Sequence, residues 1–123
     1  MLIDTYAWIE FFQGSNKGYK VKDFLESTEC FTSIVSISEI TEWCFRNRLI
    51  VAKFIKIIEE SSVVLNLNKE IVKLAGKINF ENKKLIKNWG MLDSLIYSTA
   101  RIYNLRTLTG DRHFENLTDV EML

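Results

Sequence analysis

The sequence predicts an α/β fold in which helices cover a central parallel sheet of four to five strands. Short apolar, β-branched segments alternate along the chain with longer segments whose apolar residues recur at helical spacing. This alternation is typical of a parallel sheet with helices on both faces. The chain has 123 residues, of which 47% are hydrophobic and 26% charged, and it suits one domain over residues 1–123 with one core.

The first third of the chain is predicted to contain two strands and two helices. Residues 2–4 form a short apolar strand, and residues 5–12 carry apolar side chains at helical spacing before a turn around Gly14. Residues 20–27 show helical spacing again. Residues 31–35 are apolar and β-branched, which predicts a buried strand.

A third helix is predicted to begin at Ser36. The Ser36 side chain can cap a helix, and Glu39, three residues later, completes the pattern of a capping box. Ile40 and Cys44 would then face the core, and residues 47–50 would end the helix.

The second half of the chain is predicted to continue the alternation. Because the chain contains no proline, its helix ends must rely on glycine, asparagine and caps. The predicted elements are a helix over 51–60, a strand over 62–67, a long helix over 69–87, a helix over 90–103, a strand over 107–109 and a final short strand over 120–123.

Four acidic residues lie where these apolar segments end or turn: Asp4, Glu39, Asp93 and Asp111. Asp4 and Asp111 follow predicted strands, whereas Glu39 and Asp93 lie in the first turns of predicted helices. Because ligands of open α/β sheets bind beyond the carboxyl ends of the strands, we expect all four at one edge. Two unit charges about 4 Å apart repel by roughly 4 kcal/mol at an effective dielectric near 20. Such a cluster would need protons or divalent cations.

Each acid also has an ordinary structural interpretation. Asp4 could be only the N-cap of the next helix. Glu39 could be only the partner in a capping box, and Glu42, one turn later, competes with it. Asp93 could serve the helix dipole, and Asp111 could be a turn residue. The common placement of four acids in one α/β chain favours a shared site.

Carboxylates and a divalent cation at such an edge suit phosphodiester chemistry. Hard oxygen ligands select Mg²⁺ or Mn²⁺, and helix N-termini favour anions such as phosphate. One cation can lower the pKa of a bound water, and a second can stabilise the leaving oxygen. The chemistry then needs no serine, cysteine or histidine nucleophile.

Four segments resemble, in order and spacing, the motifs of the PIN-domain family, and within it the VapC-type toxins of prokaryotic toxin–antitoxin systems. The resemblance covers nearly the whole chain. The segments are Leu2-Ile3-Asp4-Thr5-Tyr6-Ala7-Trp8-Ile9, Ser36-Ile37-Ser38-Glu39-Ile40, Gly90-Met91-Leu92-Asp93-Ser94-Leu95-Ile96-Tyr97-Ser98-Thr99-Ala100 and Thr109-Gly110-Asp111-Arg112-His113-Phe114.

The resemblance implies a PIN-like α/β/α sandwich and a Mg²⁺- or Mn²⁺-dependent endoribonuclease that hydrolyses RNA phosphodiester bonds. It implies that Asp4, Glu39, Asp93 and Asp111 are catalytic and bind the metal. Thr109 resembles the family's hydroxyl residue that hydrogen-bonds inside the acidic cluster. No acid of the set is replaced. A cognate antitoxin protein would be the partner.

Composition sets limits on location and partners. The net charge of zero provides no global attraction to nucleic acid or membrane, and it weakly favours self-association into a homodimer. Cys30 and Cys44 form no CxxC pair and are predicted to be buried free thiols, which suits the reducing cytoplasm. No signal peptide or apolar stretch long enough for a membrane span is predicted.

Several further residues have two interpretations. Arg112 and three lysines could contact phosphates, although a solvated helix face is favoured for each of Lys83, Lys84 and Lys87. His113, the only histidine, is predicted to lie on the surface or cap a turn rather than act as a base. Four aromatic residues are predicted to lie in the core or at an interface rather than stack on bases: Trp8, Phe11, Phe12 and Trp43.

Two other functions are compatible with the sequence. The chain could be a solitary RNA-processing nuclease without an antitoxin. It could also be a non-catalytic module that binds RNA or protein and keeps the acids only as caps. A catalytic cluster should be stabilised by divalent metal, because a ligand that binds only the folded state stabilises it.

Overall fold

The computed structural model describes residues 1–123 and has a five-stranded sheet flanked by helices, which confirms the predicted α/β class. The strands are β1 (Leu2–Ile3), β2 (Phe31–Ser33), β3 (Val63–Leu65), β4 (Thr107–Thr109) and β5 (Val120–Met122). The α-helices are α1 (Thr5–Gln13), α2 (Asn16–Ser27), α3 (Ile34–Arg46), α4 (Val51–Ser61), α5 (Lys69–Asn82) and α6 (Met91–Ile102). A 3₁₀ turn covers Arg112–Phe114.

All neighbouring strands are parallel, and the strand order is β3-β2-β1-β4-β5. Leu2 lies beside Phe31 on one side and Thr107 on the other, so β1 is the central strand. The chain builds outward from β1 through β2 to β3, then returns to place β4 on the other side of β1. The switch in strand order therefore falls between β1 and β4, where ligands of such sheets bind.

The core has a layer on each face of the sheet because successive strand residues point to opposite faces. Ile3 packs in one layer with buried residues that include Trp8 and Ile40, whereas Leu2 packs in the other with Ile96 and Ala100. Trp8, Phe11, Phe12 and Trp43 pack against one another or against Phe54 in stacked or edge-to-face pairs, as predicted for core aromatics. Cys30 and Cys44 are buried and free, also as predicted.

Helices α1 and α2 form a close hairpin. The Ser15 hydroxyl caps α2 by accepting a hydrogen bond from the Gly18 backbone N–H at 3.0 Å, so the helix begins four residues earlier than the predicted Lys20. A Cβ on Gly18 would lie 2.1 Å from the backbone oxygen of Glu10. The two helix backbones can approach this closely only because residue 18 has no side chain.

The predicted capping box of Ser36 and Glu39 is wrong. Strand β2 ends at Ser33, whose hydroxyl accepts a hydrogen bond from the Val35 backbone N–H at 3.1 Å and caps α3. Helix α3 therefore begins at Ile34, and Ser36 is buried inside it. Glu39 consequently lies in the second turn of α3 rather than the first.

The predicted long helix over 69–87 ends at Asn82. The chain turns through Asn88, which has a φ of 64°, and then buries Trp89. The Trp89 indole N–H donates to Ser94 Oγ at 2.7 Å and the ring packs against Phe114. Burial of this large side chain requires the chain to leave the helix direction, which ends α5 early. No helix of the structure has the length and apolar character that a membrane span requires.

Candidate acidic site at the sheet edge

The carboxyl ends of the two central strands define the candidate site. Asp4 directly follows β1, Thr109 is the last residue of β4, and Asp111 lies two residues beyond. Because β1 and β4 are adjacent and parallel, these residues meet at the switch in strand order. A Cβ on Gly110 would lie 2.4 Å from Tyr6 Cε1, so a glycine lets the chain pass under this ring toward Asp111.

Asp4 occupies the N-cap position of α1, but its side chain makes no capping hydrogen bond. Instead, the Thr109 hydroxyl donates to Asp4 Oδ2 at 2.7 Å. The Thr109 oxygen also accepts a hydrogen bond from the Asp111 backbone N–H at 3.0 Å. The interpretation of Asp4 as only a helix cap is therefore wrong, because its buried carboxyl is bound to β4 instead.

Glu39 reaches the same edge from α3. The Thr5 hydroxyl donates to Glu39 Oε1 at 2.6 Å and lies 2.9 Å from Ser36 Oγ. Thr5 and Ser36 were not predicted as residues of this edge, although Thr5 directly follows Asp4. Glu42 is exposed and pairs with Arg46 at 3.6 Å, so α3 presents Glu39 and not Glu42 to the site.

Asp93 lies in the first turn of α6, as predicted. Its Oδ2 accepts a hydrogen bond from the Gly90 backbone N–H at 3.0 Å, so the carboxylate does stabilise the start of the helix. Helix α6 packs against α3, which carries Glu39. The negative charge of Asp93 acts on Glu39 and raises the pKa of Glu39, although burial of Glu39 is the larger cause.

Asp111 shapes the turn that follows β4, as its structural interpretation predicts. Its Oδ1 accepts a hydrogen bond from the His113 backbone N–H at 2.9 Å and lies 3.1 Å from His113 Nδ1. Asp111 therefore caps this turn, and the His113 side chain contacts this acid, whereas the Arg112 side chain is exposed. The turn and the acidic site share the same carboxylate.

The four acids affect one another electrostatically. Burial raises the pKa of Asp4 from 3.8 to about 7, a rise to which the charges of Glu39 and Asp111 add, although the Thr109 hydrogen bond opposes it. Burial is also the largest cause of the raised pKa values of Glu39 and Asp93, and the charge of Asp111 adds to both. No lysine or arginine forms an ion pair with any of the four. The site is therefore an anionic cluster whose only basic side chain within ion-pair distance is His113.

The donor atoms of the cluster are carboxylate oxygens, the ligands that Mg²⁺ and Mn²⁺ prefer. As the side chains stand, however, no three Asp, Glu, His or Cys residues are close enough together to hold a metal ion. The chemistry of the donors thus fits a hard divalent cation, whereas their spacing is more open than that of a closed metal site.

We expect the carboxyl of Asp4 to make the folded state less stable as the pH rises from 4 to 7 in EDTA. The unfolded carboxyl ionises near pH 3.8, whereas the folded one keeps its proton to about pH 7, so rising pH favours unfolding. Ionisation of Asp4 lowers the free energy of unfolding by as much as about 4 kcal/mol above pH 7. This effect vanishes below the pKa of the unfolded carboxyl.

The measurement is the free energy of unfolding as a function of pH for the wild type and for Asp4→Asn. The variant should match the wild type near pH 4 and exceed it above pH 7, because asparagine has no proton to lose. Parallel curves for the two proteins would show that Asp4 ionises as readily in the folded state as in the unfolded state.

Comparisons with known proteins agree with this architecture. The sequence profile of the PIN domain matches residues 1–120. A comparison with curated proteins found no significant match. Among solved structures, the chain is similar to VapC20 of Mycobacterium tuberculosis, described as a sarcin-ricin loop cleaving toxin, with a TM-score of 0.80 and 15% identity over 98% of this chain and 97% of that one.

Two further solved structures are also similar. A toxin–antitoxin complex from Klebsiella pneumoniae has a TM-score of 0.78 and 18% identity, covering 98% of this chain and 95% of that one. VapBC-1 from nontypeable Haemophilus influenzae has a TM-score of 0.72 and 23% identity, covering 99% of this chain and 95% of that one. At these identities the likeness establishes the fold.

Proposed function

The chain belongs to the PIN-domain family, and on that premise we propose that it is a divalent-metal-dependent endoribonuclease and the toxin of a toxin–antitoxin pair. One observation carries the proposal: four carboxyl groups lie near the switch in strand order, close enough for their charges to act on one another, without a lysine or arginine to neutralise them. Burying and crowding charge in this way costs free energy. A bound cation would offset that cost by neutralising the carboxylates.

We propose that Asp4, Glu39, Asp93 and Asp111 hold Mg²⁺ or Mn²⁺. When bound, such a cation polarises the phosphate and lowers the pKa of water. The raised pKa of Asp4 means that its proton competes with the cation near neutral pH. Metal binding should therefore tighten as the pH rises through 7.

The residues around the acids would position them. The Thr109 hydroxyl holds one oxygen of Asp4, and the Thr5 hydroxyl holds one oxygen of Glu39. The Gly90 N–H holds Asp93. Glu39 Oε2 and Asp93 Oδ1 accept no hydrogen bond and are free for a ligand, which supports a preorganised site.

An antitoxin partner and a homodimer remain part of the proposal. Their support is the fold shared with toxins from toxin–antitoxin complexes, together with large apolar side chains left at the surface, such as Phe45, Ile50 and Phe80 at 74%, 72% and 66% exposure. The two buried free thiols fit a cytoplasmic protein.

RNA cleavage tests the proposed activity. The purified chain should cut single-stranded RNA with Mn²⁺ and not with EDTA, and the metal should raise the melting temperature because it binds the folded state. A melting temperature that stays flat across a wide Mn²⁺ range, without cleavage, would instead favour a non-catalytic module. Cleavage by a chain whose expression does not arrest growth would favour a solitary RNA-processing nuclease.

The variant Thr5→Val is expected to reduce cleavage by about 10- to 100-fold, as the loss of residues that orient metal ligands commonly does. Valine keeps the shape of threonine but cannot donate to Glu39, and loss of that donor raises the pKa of Glu39 further. The measurement is kcat/KM across pH at several Mn²⁺ concentrations.

The matched control is Thr5→Ser, which keeps the hydroxyl and should restore most of the activity. A positioning role predicts that Thr5→Val needs more Mn²⁺ or a higher pH than the wild type. An equal loss in both variants at every pH would indicate a packing defect instead.

A further inference from the structure

A cleft of about 370 Å³ adjoins the acidic site, between residues 85–88 after α5 and residues of the 112–116 turn. It reaches the site through His113, which lines the cleft and whose Nδ1 lies 3.1 Å from Asp111 Oδ1. The other three cavities are lined by no residue of the acidic site. Any ligand in this cleft would therefore lie next to the proposed reaction centre.

Two cations line the cleft, and both are free. Lys87 and Arg112 form no ion pair within 4 Å, and neither side chain donates a hydrogen bond. Glu115 is the only acid of the lining, so the cleft carries a net charge of +1 with neutral His113. Unpaired cations beside an anionic cluster would attract a phosphate, and the guanidinium of arginine suits its geometry.

The other residues of the lining include amide and apolar side chains, which binding of a phosphate alone would not require. Asn88 and Asn116 provide amide groups that can both donate and accept hydrogen bonds. Leu85, 83% exposed, adds an apolar surface at the same cleft. The volume lies in the range of small-ligand sites. A nucleotide offers all three complements, namely a phosphate, a hydrogen-bonding base edge and an apolar base face.

We propose that this cleft binds one nucleotide of the RNA, adjacent to the phosphate that is cleaved, with its own phosphate held by Lys87 and Arg112. This inference rests on the proposed nuclease function for the identity of the ligand. The amides of Asn88 and Asn116 would read the base, because amide side chains pair with base edges and single-stranded RNA exposes those edges. The cleft would thus contribute to the choice of cleavage site.

The test measures binding separately from cleavage. The affinity of a fluorescent single-stranded RNA oligonucleotide is followed by anisotropy in EDTA at several salt concentrations, for the full chain and for Lys87→Gln and Arg112→Gln. Loss of one cation from the phosphate should make the negative slope of log K against log salt shallower in each variant, by at most about 0.7, the value for one whole phosphate contact. Lys87→Arg should restore the slope, and Lys53→Gln, an exposed lysine on α4, should leave it unchanged.

Recognition of the base by the cleft is measured separately. Oligonucleotides that differ in one base should bind the wild type with different affinities, and Asn88→Gly with Asn116→Ala should reduce that difference, since glycine accepts the positive φ of residue 88. Unchanged slopes in both cation variants, or no RNA binding by the wild type, would refute nucleotide binding in the cleft.

The two proposals can fail separately. Unchanged slopes together with Mn²⁺-dependent cleavage would refute only nucleotide binding in the cleft. Shallower slopes without any cleavage would refute the nuclease function and leave RNA binding in the cleft supported.

Discussion

Asp4→Asn is expected to lower Mn²⁺-dependent RNA cleavage more than about 100-fold, beyond the 10- to 100-fold typical of residues that only orient metal ligands. Asparagine can still accept the hydrogen bond from Thr109, so the site keeps its shape. It cannot supply the negative charge that a divalent cation requires. The measurement is kcat/KM for a defined RNA substrate at saturating Mn²⁺.

The same variant should be more stable than the wild type above pH 7 in EDTA, because it removes a buried carboxyl whose pKa is raised to about 7. Loss of activity with a gain of stability separates a functional acid from a structural one. The matched control is Glu42→Gln, which changes an exposed acid on α3 and should cleave like the wild type. Equal cleavage by Asp4→Asn and the wild type would refute the assignment of the site.

Gly18→Ala is expected to destabilise the fold by about 3 kcal/mol, at the upper end of typical overpacking costs. The added Cβ would lie 2.1 Å from Glu10 O and 2.7 Å from Glu10 C, both backbone atoms of α1. Neither atom can move unless the hairpin of α1 and α2 opens. The measurement is the free energy of unfolding in urea, with a fall in melting temperature of roughly 10 °C.

Gly76→Ala is the control for helix propensity. Gly76 lies on the exposed side of α5, and a Cβ there would have no atom within 4 Å. Alanine should therefore stabilise the protein by about 0.5–1 kcal/mol, because it loses less backbone entropy than glycine in a helix. A stabilising effect of Gly18→Ala as well would mean that the two helices pack less closely than described.

The alternation of strands and helices was predictable because it depends on local patterns. The β-branched residues of 31–35 and the helical spacing of apolar residues in 51–60 indicate their elements without tertiary information. The placement of Asp4 and Asp111 after strands, and of Asp93 at a helix start, also follows from local sequence. A parallel sheet then has few ways to arrange such strand ends.

The boundaries of the elements were harder to predict, because the same residues suit more than one secondary structure. Ile34 and Val35 suit a strand as well as a helix, but the Ser33 hydroxyl accepts a hydrogen bond from the Val35 N–H and caps α3 before them. Lys83 to Lys87 continue a helical pattern, yet the helix ends at Asn82 and Trp89 is buried against Phe114. At the end of α5 the tertiary structure therefore overrides propensity.

The sequence by itself therefore determined the fold class, because periodicity is encoded over a few neighbouring residues, and its resemblance to the PIN-domain family selected the four acids as the candidate set. Only the tertiary structure decided which hydroxyls hold the acids, since Thr109 and Asp4 are 105 residues apart and Thr5 and Glu39 are 34 apart. Only the tertiary structure, too, places Lys87 and Arg112 in the lining of the same cleft. Such contacts arise from the packing of whole elements, and no local pattern specifies them.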